Sequence, residues 1–186
     1  NHDLAALEDL AALAALAGAD CLDVAADAAV VAAVRRGIAW AQQQGRPTRP
    51  WLMVSLSDGD DPHFRKAWFD PSRCPADCPR PCSKVCPPLA IPAQGGVLAE
   101  RCYGCGRCLP VCPLGLIEER SIALSPEALP ALLQQLHPDA IELHTHPGRA
   151  ADFARRLQQI ERSEVDLQLL SVSCPDGPGD AMPQHL

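Results

Sequence analysis

A chain of 186 residues that is 47% hydrophobic and 21% charged can build a core, and with only 4% aromatic residues it must fill that core with aliphatic side chains. The formal net charge of −7 argues against non-specific nucleic-acid binding and against docking on anionic lipid. No run of 18 apolar residues occurs, so no membrane span is indicated.

Asn1-His2-Asp3 is neither an initiator methionine nor a basic segment ahead of an apolar one. No signal peptide is visible, and a piece of a longer chain is expected. From Asp3 to Ala17, Leu4, Leu7, Leu10, Leu13 and Leu16 recur every three residues and predict a helix that Gly18 stops. Cys21–Ala25 predicts a strand. Asp27 is placed to cap a helix running to about Gln43, with Val30, Val31, Val34, Ile38 and Ala41 on its buried side, and Gly45 ends it. Trp51–Leu56 predicts the next strand.

From Asp58 to about Arg120 the chain is rich in Pro, Gly and Cys, and neither period persists. Such a segment lacks the aliphatic content to fold alone, and bound metal would supply order. Ser125 followed by Pro126 then predicts the start of a helix reaching about Leu136. A strand over Ala140–His144, a helix over Gly148–Arg162 and a strand over Asp166–Ser173 follow. The tail Pro175–Leu186 reads as a loop. The alternation of helix and strand predicts an α/β fold of parallel βα units, either an open doubly wound sheet or a partial TIM-barrel-like segment. No internal repeat beyond the βα rhythm is apparent. The expected division is α/β domain over 1–60, a two-[4Fe–4S] ferredoxin-like insertion over 61–122, and α/β domain again over 123–186.

The insertion rests on the cysteines. Ten are present, and eight lie between Cys74 and Cys112. Disulfides, zinc and iron–sulfur compete for them. Cys102, Cys105, Cys108 and Cys112 follow C-x₂-C-x₂-C-x₃-C-P, the bacterial ferredoxin run. Three closely spaced cysteines wrap one cubane only if the backbone turns tightly, which Gly104 and Gly106 permit. Cys74, Cys78, Cys82 and Cys86 follow C-x₃-C-x₃-C-x₃-C-P, with the same ending but two longer spacings. Zinc sites usually separate two cysteine pairs by a dozen residues or more; here three cysteines cluster twice, which favours iron–sulfur. The exchange of the fourth cysteine known for such runs predicts cluster one on Cys74, Cys78, Cys82 and Cys112, and cluster two on Cys86, Cys102, Cys105 and Cys108. Cys21 and Cys174 lie outside the runs and read as core packing, although Cys174 follows a strand at the end where parallel α/β folds bind ligands.

A second candidate site is His144-Thr145-His146-Pro147-Gly148-Arg149, where a strand becomes a helix. His144, His146 and Arg149 suit a phosphate, flavin or metal site. The plainer reading, a loop held by histidine hydrogen bonds, is favoured, because position in a fold is weak evidence of function. Asp27 reads as a helix cap. No dinucleotide fingerprint, P-loop or nucleophile elbow occurs, and no catalytic residue is identified.

The stretch Ala17–Asp27, the stretch Phe64-Arg65-Lys66-Ala67 with both cysteine runs, and His144–Arg149 together resemble the cyanobacterial light-dependent-period family. The resemblance covers nearly the whole chain. It implies an iron–sulfur protein that conveys cellular redox state, and so light intensity, to the circadian clock, with clock-associated proteins as partners. It also implies that the chain is shorter than its relatives at both ends. The eight cysteines named above would be its cluster ligands. The expected function is redox sensing through two [4Fe–4S] clusters, more a sensor or electron carrier than an enzyme. The alternative is an electron-transfer component of a flavin- or substrate-binding barrel oxidoreductase. Either way a cytoplasmic setting is expected, because disulfide-forming compartments compete for the thiolates.

Overall fold

The computed structural model describes residues 4–46, 48–59, 65–99, 101–121 and 127–175. The Ser125–Pro126 start signal, Phe64 and the tail beyond Pro175 lie outside these residues. The chain divides into two units, one of residues 3–61 with 124–186 and the other of residues 62–123.

The first unit is a four-stranded parallel sheet with helices between its strands. Its elements are α1 (Leu4–Ala17), β1 (Cys21–Ala25), α2 (Ala28–Gln43), β2 (Trp51–Ser57), then α4 (Ala128–Leu136), β5 (Ala140–His144), α5 (Ala150–Arg162) and β6 (Leu169–Ser173). The numbers between belong to the second unit: β3 (Arg65–Trp68), α3 (Pro81–Lys84) and β4 (Glu118–Ser121). The strands lie in the order β1-β2-β5-β6, so chain order and spatial order agree and the sheet has no switch point. Register pairs Val24 with Val54, Val54 with Ile141 and Ile141 with Leu170.

Strand alternation separates the two faces. Leu52, Val54, Leu56, Ile141 and Leu143 are all buried, and so are Val30, Val31, Val34, Ile38 and Ala41 of α2 and Leu129, Leu133 and Leu136 of α4. Each fully buried leucine contributes roughly 2 kcal/mol of transfer free energy. The opposite face carries Asp23, Ser55, Glu142 and His144. There Ser55 Oγ donates to Asp23 Oδ1 at 2.7 Å, which satisfies a buried hydroxyl.

The helix ends follow their sequence signals. Asp27 accepts from the amides of Ala29 (2.8 Å) and Val30 (3.2 Å) and caps α2. Gly18, at φ 99°, closes α1, with Ala19 N–H donating to the carbonyl of Ala14 at 3.1 Å. His137 ends α4 in the left-handed region, and Arg35 of α2 donates to the carbonyls of Leu136 (2.5 Å) and His137 (2.9 Å) that this end leaves open.

In α1 the leucines do not define the buried face. Leu10, Leu13 and Leu16 are exposed, whereas Ala11, Ala12 and Ala15 are buried. A period of three runs ahead of the 3.6-residue turn, so the leucines drift round the helix. The close contact is made by small residues instead. A Cβ on Gly37 of α2 would overlap the carbonyl oxygen of Glu8, so the two helices approach at backbone distance.

The second unit holds little regular structure. β3 and β4 pair antiparallel, Arg65 with Ser121 through Trp68 with Glu118, and the guanidinium of Arg120 sits 3.1 Å over the Trp68 ring. Its buried core is Ala67, Phe69, Cys82, Ile91, Cys108 and Ile117. Two of these six are cysteines, which is a thin apolar core for a unit of this size. Among the described residues no helix is long and apolar enough to cross a membrane.

Candidate metal centre

Beyond Phe69, Asp70 accepts from the amide (2.9 Å) and hydroxyl (2.7 Å) of Ser72 and caps a 3₁₀ turn, Pro71–Arg73, that delivers Cys74. The Ser72 hydroxyl, then its amide, holds the Asp70 carboxyl below the usual carboxylate range. Arg80 turns the chain at φ 48°, and α3 then carries Cys82 into the core. The second run is set against β3. A Cβ on Gly104 would overlap the carbonyl oxygen of Arg65, and Gly104 stands at φ 75°, so that position accepts only glycine without movement of the backbone.

The two runs repeat one backbone. Cys82 and Cys108, and Cys86 and Cys112, are both 26 residues apart, and Cys82 and Cys108 are both buried. At the same offset Arg80 (φ 48°) matches Gly106 (φ 70°), and Leu89 (φ 52°) matches Gly115 (φ 60°). The amides of Cys86 and Cys112 donate to the carbonyls of Ser83 and Leu109, each at 3.4 Å, and their carbonyls accept from Leu89 and Gly115, each at 3.1 Å. Ile91 and Ile117 close both copies as buried residues. The sequence shows no internal repeat beyond the βα rhythm, and the structure adds a repeat of another kind. The repeat lies in backbone conformation, and side chains as unlike as Leu89 and Gly115 hide it in the sequence.

The repeat places a donor on each outlying thiol. Ala90 N–H lies 3.2 Å from Cys86 Sγ, and Leu116 N–H lies 3.4 Å from Cys112 Sγ. Burial works against the Cys112 thiolate, but the amides of Leu116, Leu114, Ile117 and Gly115 outweigh it and lower its pKa. Such N–H···S contacts are what tunes a sulfur-bound metal centre.

Charge coupling sorts the thiols. Burial raises Cys82, and Cys112 and Cys78 add to the rise. Desolvation raises Cys74, with Cys78 and Cys82 adding to it. Burial pushes Cys108 up to about 12, and Cys102, Cys105 and Cys86 add to the rise. Across the two runs, Cys112 thus acts on Cys82 and Cys86 acts on Cys108. All ten cysteines are free thiols. Among the described residues no three His, Cys, Asp or Glu side chains close on a single-ion site. A cubane spreads its four thiolates over four separate irons, so its ligands surround a wider volume than the ~3.8 Å sulfur spacing that follows from a Zn–S bond of ~2.3 Å.

Away from the runs, Cys21 is half-buried, its thiol raised by burial and then by Asp23. Cys174 follows β6 and is also half-buried. The histidine segment is tied into its own unit. His144 Nδ1 is 2.6 Å from Ser173 Oγ, its partner in register, and 4.0 Å from Glu142 Oε1. His146 is exposed. Arg149 bonds Asp58, Nε to Oδ1 at 2.9 Å, and lies 3.0 Å from Asp152. Thr145 Oγ1 also donates to Asp58, at 2.5 Å. Asp58, whose side chain has no exposure, organises this turn. Its importance escapes a sequence reading because its partners lie 87 and 91 residues away.

Residues 74–123 match the LdpA Fe-S cluster-binding domain, and residues 132–186 match the Light dependent period A C-terminal domain. A curated relative named Light dependent period A, from Synechococcus elongatus, is 51% identical over 175 residues, covering 94% of this chain and 49% of the relative. The chain therefore spans about half the length of the curated relative it matches. No solved structure matches it.

Proposed function

Because the chain belongs to the light-dependent-period family, whose cluster-binding domain covers all eight clustered cysteines, we propose that it is a redox-sensing protein. In this reading it holds two [4Fe–4S] clusters in a cytoplasmic setting and passes their state to clock-associated proteins. The observation that carries the reading is the repeated backbone of the two runs, with Cys82 and Cys108 buried and Cys86 and Cys112 each facing an amide donor; in keeping with it, Cys112 acts on Cys82 and Cys86 on Cys108 across the runs. That is the exchange seen in two-cluster ferredoxin runs.

A bound cubane supplies one-electron oxidation and reduction. The residues of the chain do the rest. Cys74, Cys78, Cys82 and Cys112 hold one centre, and Cys86, Cys102, Cys105 and Cys108 hold the other. Ala90 and Leu116 direct amide hydrogens at Cys86 and Cys112, and at Cys112 the surrounding amides favour the thiolate. Phe69, Ile91 and Ile117 bury the inner cysteines and limit access of water. Since the unit has so few other core residues, its packing depends on what the cysteines hold. A partner that binds the loaded and unloaded forms with different affinity then reads the redox state.

Anaerobic iron and sulfide analysis with EPR of the reduced protein tests this. About eight irons per chain and spectra of two interacting centres are expected. Zinc that persists after reconstitution with iron, or equal partner affinity for oxidised, reduced and cluster-free protein, overturns it.

The strand order favours a second reading of the first unit. Four parallel strands in unbroken sequence are the arrangement of a barrel segment, and His144, Ser173 and Ser57 stand together at the C-terminal ends where barrels bind substrates. On this reading the protein is an electron-transfer component of a barrel oxidoreductase. Flavin absorbance in the purified full-length protein decides for it, and its absence with eight irons present decides for the sensor.

A further inference from the structure

The two units differ in charge. Residues 62–123 contain eight Lys and Arg against five Asp and Glu, a balance of +3. The remaining residues contain eight against eighteen, a balance of −10. Within a chain of net charge −7, the positive charge is concentrated on the cysteine unit, and part of it frames one feature. An open depression there is lined by Lys84, Val85, Cys86, Pro87, Arg107 and Pro110. Lys84 and Arg107 are exposed, as are Pro87 and Pro110. Cys86 is only half-buried, in contrast to Cys82 and Cys108.

We propose that this depression docks an acidic protein that exchanges single electrons with the cysteine unit. The inference rests on the iron–sulfur reading above and adds a place and a partner to it. Three features support it together. Two cations line it together with the apolar Val85, Pro87 and Pro110, a mixture of charged and apolar groups found in protein interfaces. The depression is open to solvent, which suits a small, short-lived electron-transfer contact better than a buried small molecule. Cys86 lines it, so a docked protein is brought against a cluster ligand, and electron exchange there neither makes nor breaks a bond. The carrier loses the electron that the cysteine unit gains, or the reverse. Opposite charge also steers the encounter, which matters when the contact is brief.

Lys84 and Arg107 lie two and one residues from Cys86 and Cys108 in the chain, so the test must separate docking from cluster support. The anaerobic holoprotein, with its iron measured, is titrated with flavodoxin, an acidic one-electron carrier, at low and high salt. The dissociation constant is expected to rise steeply with salt. It should weaken by about tenfold or more in Lys84→Glu/Arg107→Glu and stay unchanged in Arg155→Glu/Arg162→Glu, which reverses two exposed charges on α5. If the first variant loses iron, Lys84→Gln/Arg107→Gln is compared in its place, with a smaller weakening of the same sign expected. Absence of binding by the wild type, equal effects in both variants, or tighter binding of a DNA duplex than of flavodoxin at this face overturns the proposal. A wild-type chain without iron sinks the iron–sulfur reading instead, while the contrast between the variants still decides where the acidic protein docks.

Discussion

Leu89 and Gly115 occupy the same place in the two halves of the cysteine unit, at φ 52° and φ 60°, three residues beyond the cysteine that closes each run. A left-handed backbone costs an L-residue roughly 1–2 kcal/mol, while glycine carries an entropic cost of roughly 0.5–1 kcal/mol. Leu89 is 66% exposed, so replacing it removes little burial. Leu89→Gly is expected to stabilise the unit by about 0.5 kcal/mol. Hydrogen exchange of the amides of Leu89 and Ala90, which bond the carbonyl and the sulfur of Cys86, should slow accordingly. Faster exchange would mean that the leucine side chain holds this turn.

The neighbouring glycines should differ sharply. Gly104 has the Arg65 carbonyl in the space a Cβ would take, while at Gly106 the nearest atom is Glu119 Oε1 at 3.5 Å, the end of a flexible side chain. Gly104→Ala must displace β3 or the loop, and iron content is expected to fall by about half or more as the second run loses its geometry. Gly106→Ala meets only the left-handed penalty, roughly 1–2 kcal/mol, and its counterpart Arg80 already accepts that conformation. It should retain full iron. Equal loss in both variants would show that backbone freedom, and not the approach to Arg65, controls the site.

Much of this was legible in the sequence, and the remainder shows where sequence reading stops. The strands and helices of the first unit were visible because Val30, Val34, Ile38 and the alternating residues of β2 and β5 bury one face at the period of their element. In α1 the same logic points to the wrong face, because its leucines are spaced by three and its contact with α2 depends on Gly37 and alanines. The cysteine spacing announced the metal centre, since ligands must recur at fixed intervals to surround one cluster. The backbone repeat, the Arg120–Trp68 contact and the role of Asp58 were not legible. Each depends on conformation or on residues brought together from far along the chain.

Double substitutions test the ligand exchange. If each cluster takes its fourth ligand from the other run, Cys74→Ala/Cys112→Ala damages one centre only, and about four irons per chain should remain. Cys74→Ala/Cys86→Ala damages both, and nearly all iron should be lost. Pairing within each run predicts the opposite order. The comparison needs only iron analysis after anaerobic reconstitution, and alanine avoids the substitute oxygen ligand that serine would offer.

Cys21 gives a reactivity prediction. The thiolate is the nucleophile, and burial, reinforced by Asp23, raises the pKa of this thiol. A raised pKa keeps the thiol protonated to higher pH, so alkylation by iodoacetamide should be slow at pH 8 and accelerate as pH climbs through the alkaline range. Mass spectrometry of the modified peptide reads the rate. Asp23→Asn removes one of the two leading causes and should speed the reaction at fixed pH; an unchanged rate would leave burial as the whole cause.

Asp58 carries the largest expected effect outside the cysteines. Its carboxylate is fully buried, accepts from Thr145 and pairs with Arg149, which is 37% exposed on its side chain. Removing one partner of a buried pair costs about 3–5 kcal/mol, and the exposure of Arg149 reduces that. Asp58→Ala is therefore expected to destabilise the first unit by about 2–3 kcal/mol. Urea unfolding followed by far-UV circular dichroism reads this directly, because α1, α2, α4 and α5 all lie in that unit. Asp58→Asn keeps an acceptor for the Thr145 hydroxyl while losing the charge, so it should fall between wild type and alanine. If asparagine equals wild type, the hydrogen bonds of Asp58 hold the turn and its charge contributes nothing. Iron content should stay at its wild-type level in both variants, since none of the named partners of Asp58 belongs to the cysteine unit.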